Sequence, residues 1–251
     1  MGVFKDYACY YDLIYSEKNY ELEAKTVDLL IKKNSENVVK ILNLGCGTGR
    51  HDYEMNRLGY TIKGVDLSPQ MIEIAKVKYS DSINLEFCVG NAQSFCDNKI
   101  YDCILSLFHV MSYQNTNDEV MAVMNTAYRE LEEGGLFIFD AWYGPGVLNE
   151  RPENRIKRVE SDRYEVVRYA TPIMHENECV VDVKYDISVM DKLFNQNSDF
   201  SEIHKMRYFF LPEIELCLNL CGFELVDSVD SNSLCRPGFD SWTVYFIARK
   251  R

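Results

Sequence analysis

No apolar run in this chain extends beyond a few residues, far short of the ~20 that a membrane-spanning helix needs, so no membrane partner is expected. There is no low-complexity tract and no C-x-x-C pair, although nine cysteines are scattered from Cys9 to Cys235. An odd number at irregular spacing is not a disulfide framework. Cys88 and Cys103 stand inside apolar patterns, where a thiol is simply a small hydrophobe. Cys217 and Cys221 share a helix face but have no histidine or second pair near them, so no metal is expected. Reduced thiols point to a cytoplasmic protein. Positive charge is also scarce: 27 Lys and Arg against 39 Asp and Glu leave a formal charge of −12. A protein that grips a phosphate backbone needs a basic face. Only residues 151–168 are locally basic, and acids interleave them, so nucleic acid is not expected as a partner. The opening MGVFKDYACYYDLIY has early charges and no clean apolar core, which is not the pattern of a signal peptide. Asp6 stands where a myristoylation signal wants Ser or Thr.

What the chain does have is a strand that ends in glycines. Residues 38–59 read VVKILNLGCGTGRHDYEMNRLG. An apolar run over 38–44 reads as a buried strand, Gly45, Gly47 and Gly49 follow, and a helical pattern starts at Arg50. Glycines at such a turn let backbone approach a ligand, and the helix N-terminus behind them favours an anionic group. This is a turn for a nucleotide-type cofactor. A dinucleotide fingerprint would place its third glycine at position 50, where Arg50 stands, which weakens a nicotinamide or flavin reading. A second apolar strand, 60–65, ends at Asp66, whose carboxylate can accept both hydroxyls of a ribose.

The alternation continues. Ser68-Pro69 is an N-cap with proline at the first helical position. Strands are expected over 83–89, 101–107 and 136–140, with Gly134-Gly135 turning the chain into the last of these, and an amphipathic helix over 117–131. Strand–helix alternation predicts an α/β fold with a doubly wound, mostly parallel sheet of seven strands. Ligands in such sheets bind at the carboxyl ends of strands, where the motif residues lie. After Trp142 the pattern changes: 164–170, 179–189 and 204–210 alternate like antiparallel strands with one wet face. A β-rich antiparallel insertion over 150–207 is therefore expected to cover the pocket. A helix over 212–221, stopped by Gly222, and strands over 223–229 and 243–248 complete the core. The organisation expected is an N-terminal helical lid over 1–37, a core over 38–149 and 208–251, and the insertion. The lid is rich in tyrosine (Tyr7, Tyr10, Tyr11, Tyr15), which suits either packing at a sheet edge or closure over a cofactor.

The pair LNLGCGTGR and GVDLS, about twenty residues apart, resembles the class I S-adenosylmethionine-dependent methyltransferases. The resemblance covers about 38–142 and 211–249. More loosely, the lid, HVMSY and FDAWYGPG resemble bacterial enzymes that methylate small molecules, nucleotide-linked deoxyamino sugars and polysaccharide precursors among them. It implies S-adenosylmethionine as cofactor, an antiparallel last strand closing the sheet, and a small-molecule acceptor methylated at a hydroxyl or amine. It also implies a cofactor site of Tyr11, Tyr15, Gly45, Gly47, Gly49, Arg50, Asp66, Leu67, Asn91, Ala92, Leu107 and Phe108. Asn91 stands where the family usually has an Asp; its carbonyl oxygen can still accept from the adenine amine.

For catalysis the candidates are His109, just beyond the fourth strand and able to take a proton near neutral pH, His204 from the insertion, and Asp140 at the end of the fifth strand. Tyr113, Trp142, Tyr143, Arg207 and Tyr208 are candidates to bind the acceptor. SLFHVMSY lacks the prolines of amino-directed DNA methyltransferases, and Cys103 lacks the adjacent proline of cytosine-C5 enzymes. A non-catalytic S-adenosylmethionine-binding regulator and an RNA-directed methyltransferase stay open as other readings. So do a monomer and a homodimer.

Overall fold

A computed structural model describes residues 8–97 and 99–251; Tyr7 and the rest of the first seven residues lie outside it. The core is built by β1 (Lys40–Leu44), β2 (Thr61–Asp66), β3 (Leu85–Val89), β4 (Tyr101–Ser106) and β5 (Leu131–Tyr143), parallel and ordered β3-β2-β1-β4-β5. The order reverses between β1 and β4, and the carboxyl ends of those two strands carry the glycine turn and His109.

Period-2 alternation sends neighbouring side chains of each strand to opposite faces. Leu42, Leu44, Phe137 and Phe139 pack with α5 (Asn117–Glu130) and α7 (Leu211–Leu220). Ile41, Leu105 and Ile138 pack with α2 (Tyr20–Asn34), α3 (Arg50–Arg57) and α4 (Pro69–Lys78). Helix starts follow local chemistry: the Ser68 hydroxyl accepts from Met71 N–H at 3.3 Å, and Thr116 with Glu119 forms a reciprocal capping box on α5.

The chain is hydrogen-bonded as a strand from Leu131, earlier than expected, but Gly134-Gly135 still mark a break. The partners of Tyr101 and Cys103 are Leu131 and Leu136, so the intervening residues bulge out around Gly134, whose φ is +78°. The last strand, β11 (Thr243–Lys250), is antiparallel to β5 as expected. It does not lie at the edge; β10 (Phe223–Asp230) pairs outside it.

A short helix α6 (Gly144–Asn149) follows β5. Then β6 (Arg155–Glu160), β7 (Tyr164–His175), β8 (Val180–Asp191) and β9 (Gln196–Phe209) form an antiparallel ladder. Its strands run longer than expected, and β6 was hidden because its basic residues mask the alternation. The expected boundary at 207 falls inside β9. Trp142 and Tyr143 pair in parallel with Tyr208 and Phe209, so the insertion is hydrogen-bonded onto the core sheet, eleven strands in all among the described residues.

Helix α1 (Ala8–Ile14) lies against this insertion. Its Ile14 is buried with Val166, Ile187 and Val189. Asp12 ties the helix to the core: one oxygen accepts the Thr48 hydroxyl, and the other pairs with Lys78, both at 2.7 Å.

Beneath the glycine turn, Asn43 on β1 faces Asp52 on α3, donating its amide to Asp52 Oδ2 at 2.9 Å. Burial pushes the Asp52 carboxyl up to about 7, against the Asn43 bond that lowers it. Between pH 4 and 7 the folded state therefore keeps a proton that the unfolded chain has released. Stability is full below about pH 4 and falls as pH rises towards 7, by a ceiling on the order of 4 kcal/mol. Asp52→Asn, whose amide can donate to the buried Asn43 oxygen, is expected to remove this decline. Urea midpoints of wild type and variant at pH 5 and pH 8.5 check it, and a parallel decline in the variant would refute the assignment.

Candidate active site

The turn after β1 is bolted to β2, because Gly45 N–H and Cys46 N–H both donate to Val65 O, at 2.7 and 2.9 Å. Gly47 N–H donates to Asp66 Oδ2 at 2.9 Å, and Ser68 N–H donates to Asp66 Oδ1 at 2.8 Å. Each carboxylate oxygen is thus oriented by one backbone N–H and keeps a lone pair for a hydroxyl. Burial pushes the Asp66 carboxyl up, and these two bonds oppose that. A Cβ on Gly47 would meet nothing within 4 Å and would stand in the space a ligand can use, whereas one on Gly49 would sit 2.5 Å from the Phe87 ring.

Above the turn, enclosed by α1 and the insertion, lies a cavity of about 710 Å³. Of the residues expected at a cofactor site, Tyr11, Tyr15, Gly45, Gly47, Arg50 and Asp66 line it, as do Leu67, Asn91, Ala92, Leu107 and Phe108. Gly49 does not line it. With φ +76° it precedes α3 and makes room for Phe87. The Asn91 oxygen accepts Gln93 N–H at 2.9 Å. The guanidinium of Arg50 stacks 4.1 Å from the Tyr20 ring centre. Tyr11, Tyr15 and Phe108 form an aromatic wall, with ring centres 4.8 Å apart for the tyrosines and 5.1 Å for Tyr15–Phe108.

At the end of β4, Phe108 and His109 take consecutive left-handed conformations, φ +64° and +67°. Non-glycine residues pay for this geometry, and such strain persists only where the surroundings impose it. Asp140 imposes it: its carboxylate oxygens lie 3.1 and 3.2 Å from His109 N–H, which donates to them, and Oδ2 is 2.8 Å from His109 Nδ1. Nδ1 is close to the carboxylate but makes no hydrogen bond with it, so the backbone N–H is what Asp140 holds. His109 lines the cavity; Asp140 is 4% exposed and does not. Asp140, a catalytic candidate from its place at the strand end, therefore holds His109 and does not itself line the cavity.

Tyr113 and Trp142 line the far part of the cavity with Tyr185, Met206 and Trp242. His204 lies behind that wall, 2% exposed, bonded to the Tyr113 hydroxyl at 2.7 Å. Three expected acceptor residues are corrected. Tyr143 is buried in the core, and Tyr208 is 1% exposed beneath the insertion. Arg207 is buried between Asn117 and Glu213. On β9 Arg207 alternates away from the His204 and Met206 face, which its place in the strand could have revealed. Sequence reasoning missed Thr48, although it sits within the glycine turn, as well as Tyr185 and Trp242. His51 on α3 is buried as well, lines the cavity and bonds Glu23 at 2.7 Å. Burial raises the Glu23 carboxyl, but His51 and Lys18 outweigh it and hold it at about 2.

Residues 41–135 match a family model described as a methyltransferase domain. A Bacillus subtilis (strain 168) chain named as a methyltransferase, YqeM, is 23% identical over 99% of this chain and 97% of its own. A Streptomyces venezuelae dTDP-3-amino-3,4,6-trideoxy-alpha-D-glucopyranose N,N-dimethyltransferase is 23% identical over 88% and 91%. Among solved structures, Streptomyces venezuelae DesVI superposes with a TM-score of 0.83 at 21% identity, covering 98% of this chain and 99% of that one. A methyltransferase from Clostridium acetobutylicum ATCC 824 gives a TM-score of 0.80 at 20% identity, over 96% of each chain. The fold is the Rossmann-like methyltransferase fold. Residues 41–135 form a methyltransferase domain, and the chain as a whole is similar to S-adenosylmethionine-dependent methyltransferases. It is an enzyme whose cofactor is S-adenosylmethionine. The Asp66 carboxylate and the open space at Gly47 suit the ribose and methionine of that cofactor.

S-adenosylmethionine at a hundredfold excess over its Kd is expected to stabilise the enzyme by about 2.7 kcal/mol. Asp66→Ala should abolish the resulting rise in Tm. A rise of wild-type size in the variant would refute this placement of the ribose.

Proposed function

We propose that this enzyme transfers the methyl group to the amine of a nucleotide-linked deoxyamino sugar, and that Tyr11, Tyr15, Gly45, Gly47, Arg50, Asp66, Leu67, Asn91, Ala92, Leu107 and Phe108 hold the cofactor. The observation that carries the reading is the continuity of the cavity. It runs from Asp66 past His109 into an aromatic chamber of Tyr113, Trp142, Tyr185 and Trp242, roomy enough for a second small molecule beside the cofactor. Relatives similar over more than half of this chain carry amino-sugar N,N-dimethyltransferase names, which supports an amine over a hydroxyl. The charge of −12 supports a small acceptor over RNA.

S-adenosylmethionine, when bound, supplies a methyl group already activated on a sulfonium. The protein's part is alignment, exclusion of water and handling of one proton. Tyr11, Tyr15 and Phe108 close the cavity on the lid side, and Asp12 holds the lid to the turn through Thr48. An amine must offer its lone pair and then shed a proton. His109, held by Asp140 through its backbone N–H, takes that proton.

His109→Ala is expected to lower kcat about 100-fold, with the Kd for S-adenosylmethionine unchanged within about twofold. Release of S-adenosylhomocysteine, with dTDP-3-amino-3,4,6-trideoxy-α-D-glucose as acceptor, measures the first; calorimetry measures the second. Turnover equal to wild type at neutral pH would remove His109 from the role. No methylation of that sugar or of related 4-amino sugars by wild type would refute the acceptor class.

A further inference from the structure

Glu202 and His204 are two residues apart on β9, so they share a face, and across β8 they oppose Tyr185 and Val183. His204 uses both ring nitrogens. Nε2 lies 3.3 Å from Glu202 Oε2, and Nδ1 lies 2.7 Å from the Tyr113 hydroxyl. The side chains of His204 and Glu202 are only 2% and 11% exposed. A carboxylate only accepts, so the hydrogen of a neutral His204 sits on Nε2. Nδ1 is then a lone pair and accepts the Tyr113 O–H. With its own hydrogen directed inward, the phenol oxygen meets any other partner only as an acceptor.

Other groups face this chain from the neighbouring elements. Arg168 on β7 stands 4.5 Å from the Tyr185 ring centre and donates to the Tyr15 hydroxyl at 3.1 Å. The Tyr185 ring is 4.7 Å from that of His204. Burial, then Tyr185, Tyr15 and Glu202, push the Tyr113 hydroxyl well above its usual range, and Arg168 opposes them. Tyr113 therefore stays a phenol, and its polarity is set by hydrogen bonding and not by ionisation.

We propose that Glu202 and His204 are positioning residues that fix the Tyr113 hydroxyl as the hydrogen-bond acceptor for an N–H of the acceptor amine. This rests on the amine reading given above. An amine anchored through N–H is turned so that its lone pair is left for the methyl group. A hydrogen-bond acceptor without an N–H or O–H, such as an ether or a tertiary amine, finds no partner in Tyr113.

The test has two arms. In the first, the full chain is labelled with 15N-histidine and bound to S-adenosylhomocysteine, and long-range 1H–15N spectra report the tautomer of each ring. The His204 signals are those lost in His204→Asn. The expected pattern is a protonated Nε2 and a bare Nδ1; a protonated Nδ1 overturns the proposal whatever the acceptor is. The second arm uses dTDP-3-amino-3,4,6-trideoxy-α-D-glucose. Tyr113→Phe is expected to lower kcat/KM for the sugar about 10-fold, with the Kd for S-adenosylmethionine unchanged. Glu202→Met should reproduce part of that loss, and Glu202→Gln, which keeps an accepting oxygen, should recover most of it. In the Tyr113→Phe background Glu202→Met should cost nothing further, because it acts only through the missing hydroxyl. Additive losses would mean a merely structural role and would overturn the proposal. Wild type inactive on the sugar would count against the amine-sugar reading, and the tautomer would still decide the polarity of Tyr113.

Discussion

The site depends on one carboxylate that binds two turns together. Asp66 accepts from Gly47 N–H and from Ser68 N–H, so the loop after β1 and the start of α4 are held at a common point. It adds to the bonds of Gly45 and Cys46 to Val65 O and to the bridge that Asp12 makes between Thr48 and Lys78. A buried carboxylate is costly unless hydrogen-bonded. Here backbone N–H groups supply that compensation and also aim both oxygens into the cavity. The remaining parts of the cofactor wall are arranged around this point: Gly47 with open space beyond it, and Leu67 following directly on Asp66.

A second constraint sets the end of the cavity where we propose that His109 acts. Two adjacent left-handed residues, Phe108 and His109, turn the chain sharply at the end of β4. Asp140 at the end of the neighbouring β5 repays that strain by accepting the His109 N–H. The same carboxylate lies 2.8 Å from His109 Nδ1, so one side chain sets the backbone path and stands beside the ring. β9 adds the third wall. By pairing with Trp142 and Tyr143 it brings the insertion against the carboxyl end of β5, and its upstream residues place Glu202, His204 and Met206 behind or along the cavity.

Most of this was legible because the relevant physics is local. A buried parallel strand is a continuous apolar run, a glycine turn is visible as glycines, and Ser68-Pro69 announces a helix start. Asp66 and His109 follow directly from strand ends and could be named by position. The errors lie where an outcome depends on which way a strand faces. Asp140, Tyr143, Arg207 and Tyr208 stand at or near strand ends, as functional residues do, yet each is buried beneath the site or in the core. The alternation that turned Arg207 away could have been applied to the others as well, but the pairing of β9 with β5, which sets that register, joins residues sixty-six apart.

By itself, the sequence determined the doubly wound core, the cofactor turn and the methyl donor, since each rests on residues that are neighbours along the chain or share one strand–helix unit. Only the tertiary structure decided what lines the aromatic chamber proposed for the acceptor. The chamber draws Tyr113 from a turn after β4, Trp142 from β5, Tyr185 from β8 and Trp242 from the approach to β11. The Glu202–His204–Tyr113 chain likewise joins a strand of the insertion to a core turn ninety-one residues away. No local periodicity encodes such meetings; they follow from how the insertion folds back over the carboxyl ends of the strands.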